Sequence, residues 1–356
     1  MKKQYKENVN WYCWTTPFSG YGIVGLEYMV ALDKLTGGKL SVGWQRRDND
    51  TSLEFQTLTP EQKHLVGVKP FEKARIGIIK TTPDLFVENK SDIKIGYTMV
   101  ENTEVGKKWV DYINGMNACF VPSKFLVKVF KDSGVTVPVY PVKQGINPKN
   151  YPYFDRPKRN TFVFGTCGWL DDRKNWKEMV TAFTSEFSTD EPVELWLKNS
   201  NNTFGWESPV DPRVKFIDEL WSFEQMSQFY KDLDCFMFIS RAEGAGMPPR
   251  EAMATGLPVI LTNWSGLADV SDKEYNYPID PVSIDLQDFR KENSQPGYHA
   301  KVDIQEIMYW MRYVYEHQNE AKEKGKKASK WMHKEWLWNV CAREMLDILE
   351  KEFNYG

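Results

Sequence analysis

The feature that constrains this chain most is an alternation that runs twice along it. Short β-favouring runs are separated by helix-length segments, and the pattern resets once, across residues 144–159. Before the reset, strands are expected at 9–14, 40–44, 75–79, 94–99, 118–121 and 137–140, and helices at 23–35, 105–113 and 123–131. Ile23, Leu26, Val30 and Leu35 recur near the helical period, Gly37 and Gly38 stop that helix, and Ser123 is a candidate N-cap. Residues 144–159 carry Gly145, Pro148, Pro152 and Pro157 with little periodicity, and read as a linker. Beyond them, strands are expected at 161–166, 193–197, 214–217, 234–239 and 257–261, with helices at 174–187, 223–231 and 248–255. Residues 303–353 are mostly helix-forming, with Asp303 as N-cap and Gly325 as a break. Strands joined through helices make parallel sheets of right-handed βαβ units, and two such blocks make two Rossmann-like domains. The expected α/β organisation is a first domain over 1–150, a second over 151–335 and a terminal helix over 336–356.

Composition agrees and narrows the function classes. At about 150 residues per domain, 356 residues suit two or three domains. Lys and Arg total 46 against 49 Asp and Glu, so no bulk positive field favours nucleic acid as the partner. Apolar runs such as 235–240 and 257–262 are far shorter than the roughly 20 residues of a membrane span, and the first residues lead into no apolar signal segment. The 5 cysteines (Cys13, Cys119, Cys167, Cys235 and Cys341) are scattered, and the 4 histidines show no metal-ligand spacing. A reducing, cytoplasmic setting without disulfide framework, metal or cofactor is the expectation.

In doubly wound sheets, ligands sit beyond the carboxyl ends of the strands. Three such places carry chemistry. Residues 240–251 follow a buried strand, and Glu243 and Glu251 bracket Gly244, Ala245, Gly246 and Met247 before Pro248 and Pro249 open a helix. Glycines let backbone amides approach a ligand, a helix N-terminus favours a diphosphate, and a carboxylate can hold the two hydroxyls of a ribose. Taken alone, Glu251 could equally cap its helix and Glu243 be a solvated loop acid. In the second place, Arg173 and Lys174 follow the first strand of the second block, where a cation pair can neutralise a diphosphate. The third is the first block's loops, with Gly20 and Gly22 ahead of the first helix and Glu101 after a strand.

The run Glu243, Gly244, Gly246, Pro248, Glu251, Ala252, Met253, Ala254, Gly256, Pro258 and Val259 resembles the E-x7-E segment of the family 4 glycosyltransferases. The resemblance implies the GT-B fold: two Rossmann-like domains with a cleft between them and a C-terminal helix crossing back to the first. It also implies a retaining, metal-independent transfer from a nucleoside diphosphate sugar. Glu243 would lie by the donor sugar, Glu251 would hold the ribose, and the amides of Gly244 to Met247 would line sugar and phosphate. Gly168, Leu170 and Lys174 match the family's G-R-L-x-x-x-K-G, while Trp169 stands where the arginine is usual; Arg173 is the neighbouring guanidinium. Gly20 and Gly22 look like the family's glycine-rich loop near the donor phosphates. The histidine common in the first domain is absent, and Glu101 in the comparable loop either orients a substrate or caps the helix near Glu104.

The function expected is therefore transfer of a sugar to an acceptor saccharide or other hydroxyl. Two alternatives stand beside it. One is transfer to a modified DNA base, with Arg46-Arg47, Lys107-Lys108 and Lys158-Arg159 on phosphates, which the acidic net charge disfavours. The other is a nucleotide-sugar-binding module without turnover. A nicotinamide dehydrogenase is set aside: Gly20, Gly22 and Gly25 spell G-x-G-x-x-G, but the next strand ends in Gln45-Arg46 rather than an acid.

Overall fold

A computed structural model describes residues 5–16, 19–45, 58–66, 74–157, 159–199, 211–287 and 297–356. The chain divides into two compact units: one of residues 1–100, 104–145 and 336–356, the other of 101–103 and 146–335. Arg46, Arg47 and Lys158 lie outside the described residues.

The first unit is a six-stranded parallel sheet in the order β2-β1-β3-β4-β5-β6. Its elements run β1 (Val9–Trp14), α1 (Gly20–Thr36), β2 (Leu40–Gln45), α2 (Pro60–Val66), β3 (Ile76–Lys80), β4 (Ile93–Tyr97), α3 (Lys107–Asn114), β5 (Ala118–Val121), α4 (Lys124–Asp132) and β6 (Val139–Pro141). The strands are short and apolar on both faces because helices cover both. Ile79, Phe86, Ile113, Val121, Leu126 and Phe130 form one of its buried clusters. The caps follow the sequence: Ser123 Oγ accepts from Leu126 N, and Gly37 adopts φ 66° and donates its N–H to Asp33 O. The first helix starts three residues earlier than its periodicity suggests, because Ser19 caps it by accepting from Gly22 N. The last helix, here α10 (Trp338–Phe353), belongs to this unit: Trp338 packs edge-on against Tyr28 at 5.1 Å, and Gly145 lets the Trp338 backbone approach.

The second unit has its own six-stranded parallel sheet, β12-β11-β10-β7-β8-β9. Its elements are β7 (Phe162–Gly168), α5 (Trp176–Glu186), β8 (Val193–Asn199), β9 (Val214–Asp218), α6 (Phe223–Asp232), β10 (Cys235–Phe238), α7 (Met247–Ala254), β11 (Val259–Thr262), β12 (Tyr277–Ile279), α8 (Ile304–Glu316) and α9 (Gln318–Glu335). The chain winds outward from β7 through β9, then returns to lay β10 on the other side of β7. The β7–β10 pair is thus the switch point, the place in a doubly wound sheet where ligands characteristically bind. An antiparallel hairpin, β13 (Ser283–Gln287) with β14 (Gly297–Lys301), was not anticipated from the sequence.

Gly325 does not break a helix, contrary to expectation; it lies inside α9. A Cβ there would collide with the Gly256 carbonyl oxygen, and one turn on Ser329 Oγ donates to Ala254 O at 2.6 Å. The glycine is kept for close approach of α9 to the end of α7, not for its flexibility. Alanine normally stabilises a helix interior relative to glycine by roughly 0.5–1 kcal/mol. Here Gly325→Ala should instead destabilise the protein by about 1–3 kcal/mol in urea unfolding, since the backbone must give way. An unchanged or raised midpoint would show that the helices are not in this contact.

Candidate functional site

The residues singled out from the second block converge at the switch point of its sheet. After β7 the chain passes Gly168 at φ 138°, and Asp171 caps a 3-10 turn, Asp172–Lys174, by accepting from Lys174 N at 3.3 Å. After β10 comes the loop of residues 239–246. The two loops are fastened to each other. Arg241 N donates to Arg173 O at 2.8 Å, and Arg241 Nε donates to Asn175 Oδ1 at 2.9 Å. Their side chains are thereby held to one geometry.

At the centre is Glu243, 4% exposed. Its Oε1 accepts from Arg173 Nη1 at 2.8 Å, from Ser240 Oγ at 2.6 Å and from Lys174 Nζ. Burial opposes ionisation of this carboxyl. Lys174 and Arg173, with the hydrogen bonds from Lys174 and Ser240, outweigh it and hold the group below its ordinary value. Glu243 is not a solvated loop acid but a buried carboxylate. Burial likewise works against the Arg173 charge, and Glu101, Glu243 and Asp171 more than offset it. Lys174 Nζ also lies 4.6 Å from the centre of the Phe238 ring.

Glu101 completes the cluster through Arg173 Nη2 at 2.9 Å. Residues 101–103 group with the second unit although they follow β4. Burial raises the Glu101 carboxyl, with Arg173 pulling it down, an effect tempered by its 43% side-chain exposure. Thr103 Oγ1 accepts from Tyr298 N at 2.9 Å, which joins this short segment to the hairpin. On that hairpin sits His299, 5% exposed and drawn down to about 4 by burial and by Arg173 and Arg241. It is therefore a neutral imidazole beside the cations, and neither spacing nor motif singled it out.

The glycine loop is shaped by its backbone. Glu243 N donates to Ser265 Oγ at 2.8 Å, and Gly266 N donates to Glu243 O at 2.9 Å. A Cβ at Gly266 would press on Gly244, so that glycine admits the loop. Gly246 holds φ 78° and Ser265, not a glycine, holds φ 55°. Left-handed backbone of this kind concentrates at functional sites. Gly244, Ala245 and Gly246 are buried and Met247 half-buried at the start of α7.

Glu251 does not cap α7. It lies inside the helix, 8% exposed, and accepts from Tyr230 Oη at 2.8 Å. Tyr151 also bonds to it. Tyr230 in turn lies 3.3 Å from Cys167 Sγ on β7, and both Glu251 and Lys174 act on that thiol. The carboxylate and the cation pair thus share one edge of the sheet. Burial raises Glu251 to about 7, with the tyrosine hydrogen bonds working against the rise. Gly20 and Gly22 lie in the first unit at the start of α1. Gly22 has a local reason to be glycine, because a Cβ would strike the Thr16 carbonyl; around Gly20 the space is open.

Among the described residues no cluster of His, Cys, Asp and Glu is arranged for a metal ion, and no helix is long and apolar enough to cross a membrane. The sequence spells D-x-D twice: Asp48-Asn49-Asp50 lies outside the described residues, and Asp232-Leu233-Asp234 joins α6 to β10, where Asp234 Oδ2 accepts from Val163 N at 2.9 Å. None of the five cysteines forms a disulfide, and all are buried.

The architecture is the two-domain GT-B fold of glycosyltransferase structures. Sucrose-phosphate synthase from Thermosynechococcus elongatus superposes with a TM-score of 0.71 at 13% identity, over 98% of this chain and 100% of that one. HepE from Anabaena, solved with UDP and glucose, gives 0.71 at 13% identity over 97% and 100%. Residues 161–286, which carry the whole cluster except Glu101 and His299, match the family model described as Glycosyl transferases group 1. Uncharacterized glycosyltransferase 335 of Sulfolobus islandicus rod-shaped virus 1 is 27% identical over 208 residues, 53% of this chain and 61% of that protein. The alignment therefore spans about three fifths of that relative.

A raised carboxyl has a signed consequence. Between 4.5 and about 7 the folded chain binds more protons at Glu251 than the unfolded chain, so this group's contribution to stability falls as pH rises. A glutamine amide in its place is neutral throughout and can still accept from Tyr230. Glu251→Gln should therefore gain in Tm relative to wild type on going from about pH 5 to about pH 8, by a few degrees. A difference that is flat with pH would mean that Glu251 titrates as an ordinary surface acid.

Proposed function

We propose that this chain is a retaining glycosyltransferase of the family 4 kind, moving a sugar from a nucleoside diphosphate sugar to an acceptor saccharide or another hydroxyl. Its E-x7-E motif is Glu243 with Glu251. The observation that carries this reading is the buried cluster at the β7–β10 switch point, where Arg173 and Lys174 converge on Glu243.

The reaction breaks the bond between the anomeric carbon and the diphosphate, and negative charge gathers on the leaving oxygen. Lys174 and Arg173 stabilise that charge, together with backbone amides of Gly244 to Met247 at the start of α7. These groups are in place before the ligand arrives, so little reorganisation accompanies the chemistry. Glu243 accepts hydrogen bonds from donor-sugar hydroxyls and orients the ring; it is not assigned as a nucleophile. Glu251 holds the ribose diol, with Tyr230 occupying its Oε2 and fixing its direction. Arg173 takes the part of the guanidinium absent at Trp169, which is 47% exposed. Glu101 sets the reach of Arg173 through their ion pair. By the family resemblance, Gly20 and Gly22 are assigned to the donor phosphates and the first unit to the acceptor. No metal or cofactor enters this scheme. The matched family model over 161–286 and the UDP and glucose named with HepE support it.

The test is turnover with a panel of UDP, GDP, ADP and TDP sugars, the anomeric configuration of the product being read by proton NMR. Transfer or hydrolysis with retention is expected. Lys174→Met should lower kcat about 100-fold or more, as loss of one preorganised donor does, while Arg173 still neutralises Glu243 and preserves the fold. Inversion at the anomeric carbon, or full turnover in the variant, would contradict the assignment.

A further inference from the structure

Lys198, the penultimate residue of β8, is used by none of the chemistry above. It is 3% exposed. Among the described residues its ammonium has no hydrogen-bond acceptor and no ion-pair partner. Its Nζ lies over the face of Trp221, 5.2 Å from the ring centre. Burial lowers its affinity for the proton, and Cys167, Asp218 and Glu219 restore that only in part. A buried ammonium left with its donors unused is costly, and an acceptor from outside the chain would relieve it.

The neighbours of Lys198 are themselves committed. Trp221 Nε1 donates to Glu219 Oε2 at 2.6 Å, which fixes the indole plane. Asn199 Nδ2 donates to Asp218 Oδ1 at 3.0 Å, while Asn199 Oδ1 accepts from Leu170 N at 3.2 Å. A flat aromatic face and a lone buried donor are what remain.

Position decides what this donor meets. Along the carboxyl edge the strands run β10, β7, β8, β9. Glu243 follows the first, Lys174 the second, Lys198 lies one residue short of the end of the third, and Asp218 ends the fourth. At about 4.8 Å per strand that is roughly 14 Å from end to end, a span suited to an extended nucleotide. The phosphate end belongs to Lys174 and Arg173. Asp218 and Glu219 beside Lys198 would repel a phosphate but not a neutral carbonyl.

We infer that Lys198 donates a hydrogen bond to a carbonyl oxygen of the donor's nucleobase, which lies against Trp221, and so selects uracil, guanine or thymine nucleotides over adenine. Adenine has no carbonyl, and lysine can only donate. This rests on the reading of the second unit as a nucleoside diphosphate site.

The test is calorimetric titration of UDP, GDP, TDP, ADP and inorganic pyrophosphate into wild type, Lys198→Met and Lys198→Gln. In the wild type, at least one carbonyl-bearing nucleotide should bind about 10-fold or more tighter than ADP. Lys198→Met should weaken that nucleotide roughly 10- to 100-fold and leave ADP and pyrophosphate unchanged, and Lys198→Gln, which keeps a donor, should retain part of the preference. The unchanged pyrophosphate affinity shows that the variant is folded. Preference for ADP in the wild type, equal loss for pyrophosphate, or no loss at all would overturn the base assignment while leaving the donor reading intact. Failure of every nucleotide to bind wild type would overturn both.

Discussion

A carboxylate buried to 4% exposure must be neutralised where it stands, and the second unit is organised around doing this for Glu243. Two cations from one loop and a hydroxyl from another close on a single oxygen. Neither loop could supply this alone. The arrangement requires that the segments after β7 and β10 be fastened together, which Arg241 does from both its backbone and its side chain. With Glu101 added, the cluster holds two positive and two negative side chains, so it is close to neutral before any ligand reaches it. An anionic ligand arriving here meets cations already aimed and already compensated. It must compete with Glu243 and Glu101 for them.

The topology accounts for the convergence. Winding outward from β7 and returning to β10 places two diverging loops side by side, and both start from strands buried on each face. The rigidity of the sheet passes into the loops through short connections, capped turns and left-handed residues, Asn175 after β7 and Gly246 after β10. Tyr230 and Tyr151 do for Glu251 what Lys174 and Arg173 do for Glu243, with neutral donors in place of charged ones. The two carboxyl groups are consequently pushed in opposite directions: one below its ordinary value, the other up to about 7. Such divergence between neighbouring acids is a mark of sites that perform chemistry.

Much of this was legible in the amino-acid order, and the limits are physical. The parallel α/β class, the caps at Ser123 and Asp303 and the stop at Gly37 depend on nearby residues, so sequence spacing reveals them. Glu243, Glu251, Arg173 and Lys174 stood out because strand ends and glycines flank them. Gly325 was misread because its partner, the turn at Gly256, is 69 residues away in the chain (325 − 256). His299 lies on a hairpin whose strands, Ser283–Gln287 and Gly297–Lys301, match neither the helical nor the buried-strand pattern of the rest. Tyr230 and Lys198 sit in ordinary helix and strand sequence. Only the fold turns a mid-helix tyrosine toward Glu251 and, among the described residues, leaves Lys198 near the end of β8 without an ion-pair partner.

The central physical claim is that one ligand engages both carboxyl groups of the second unit at once. Carbon-13 NMR of the Glu243 and Glu251 carboxyl resonances during titration with a nucleoside diphosphate sugar measures this directly. Both resonances should shift together and saturate at the same ligand concentration. Saturable binding with either resonance left unmoved would contradict it.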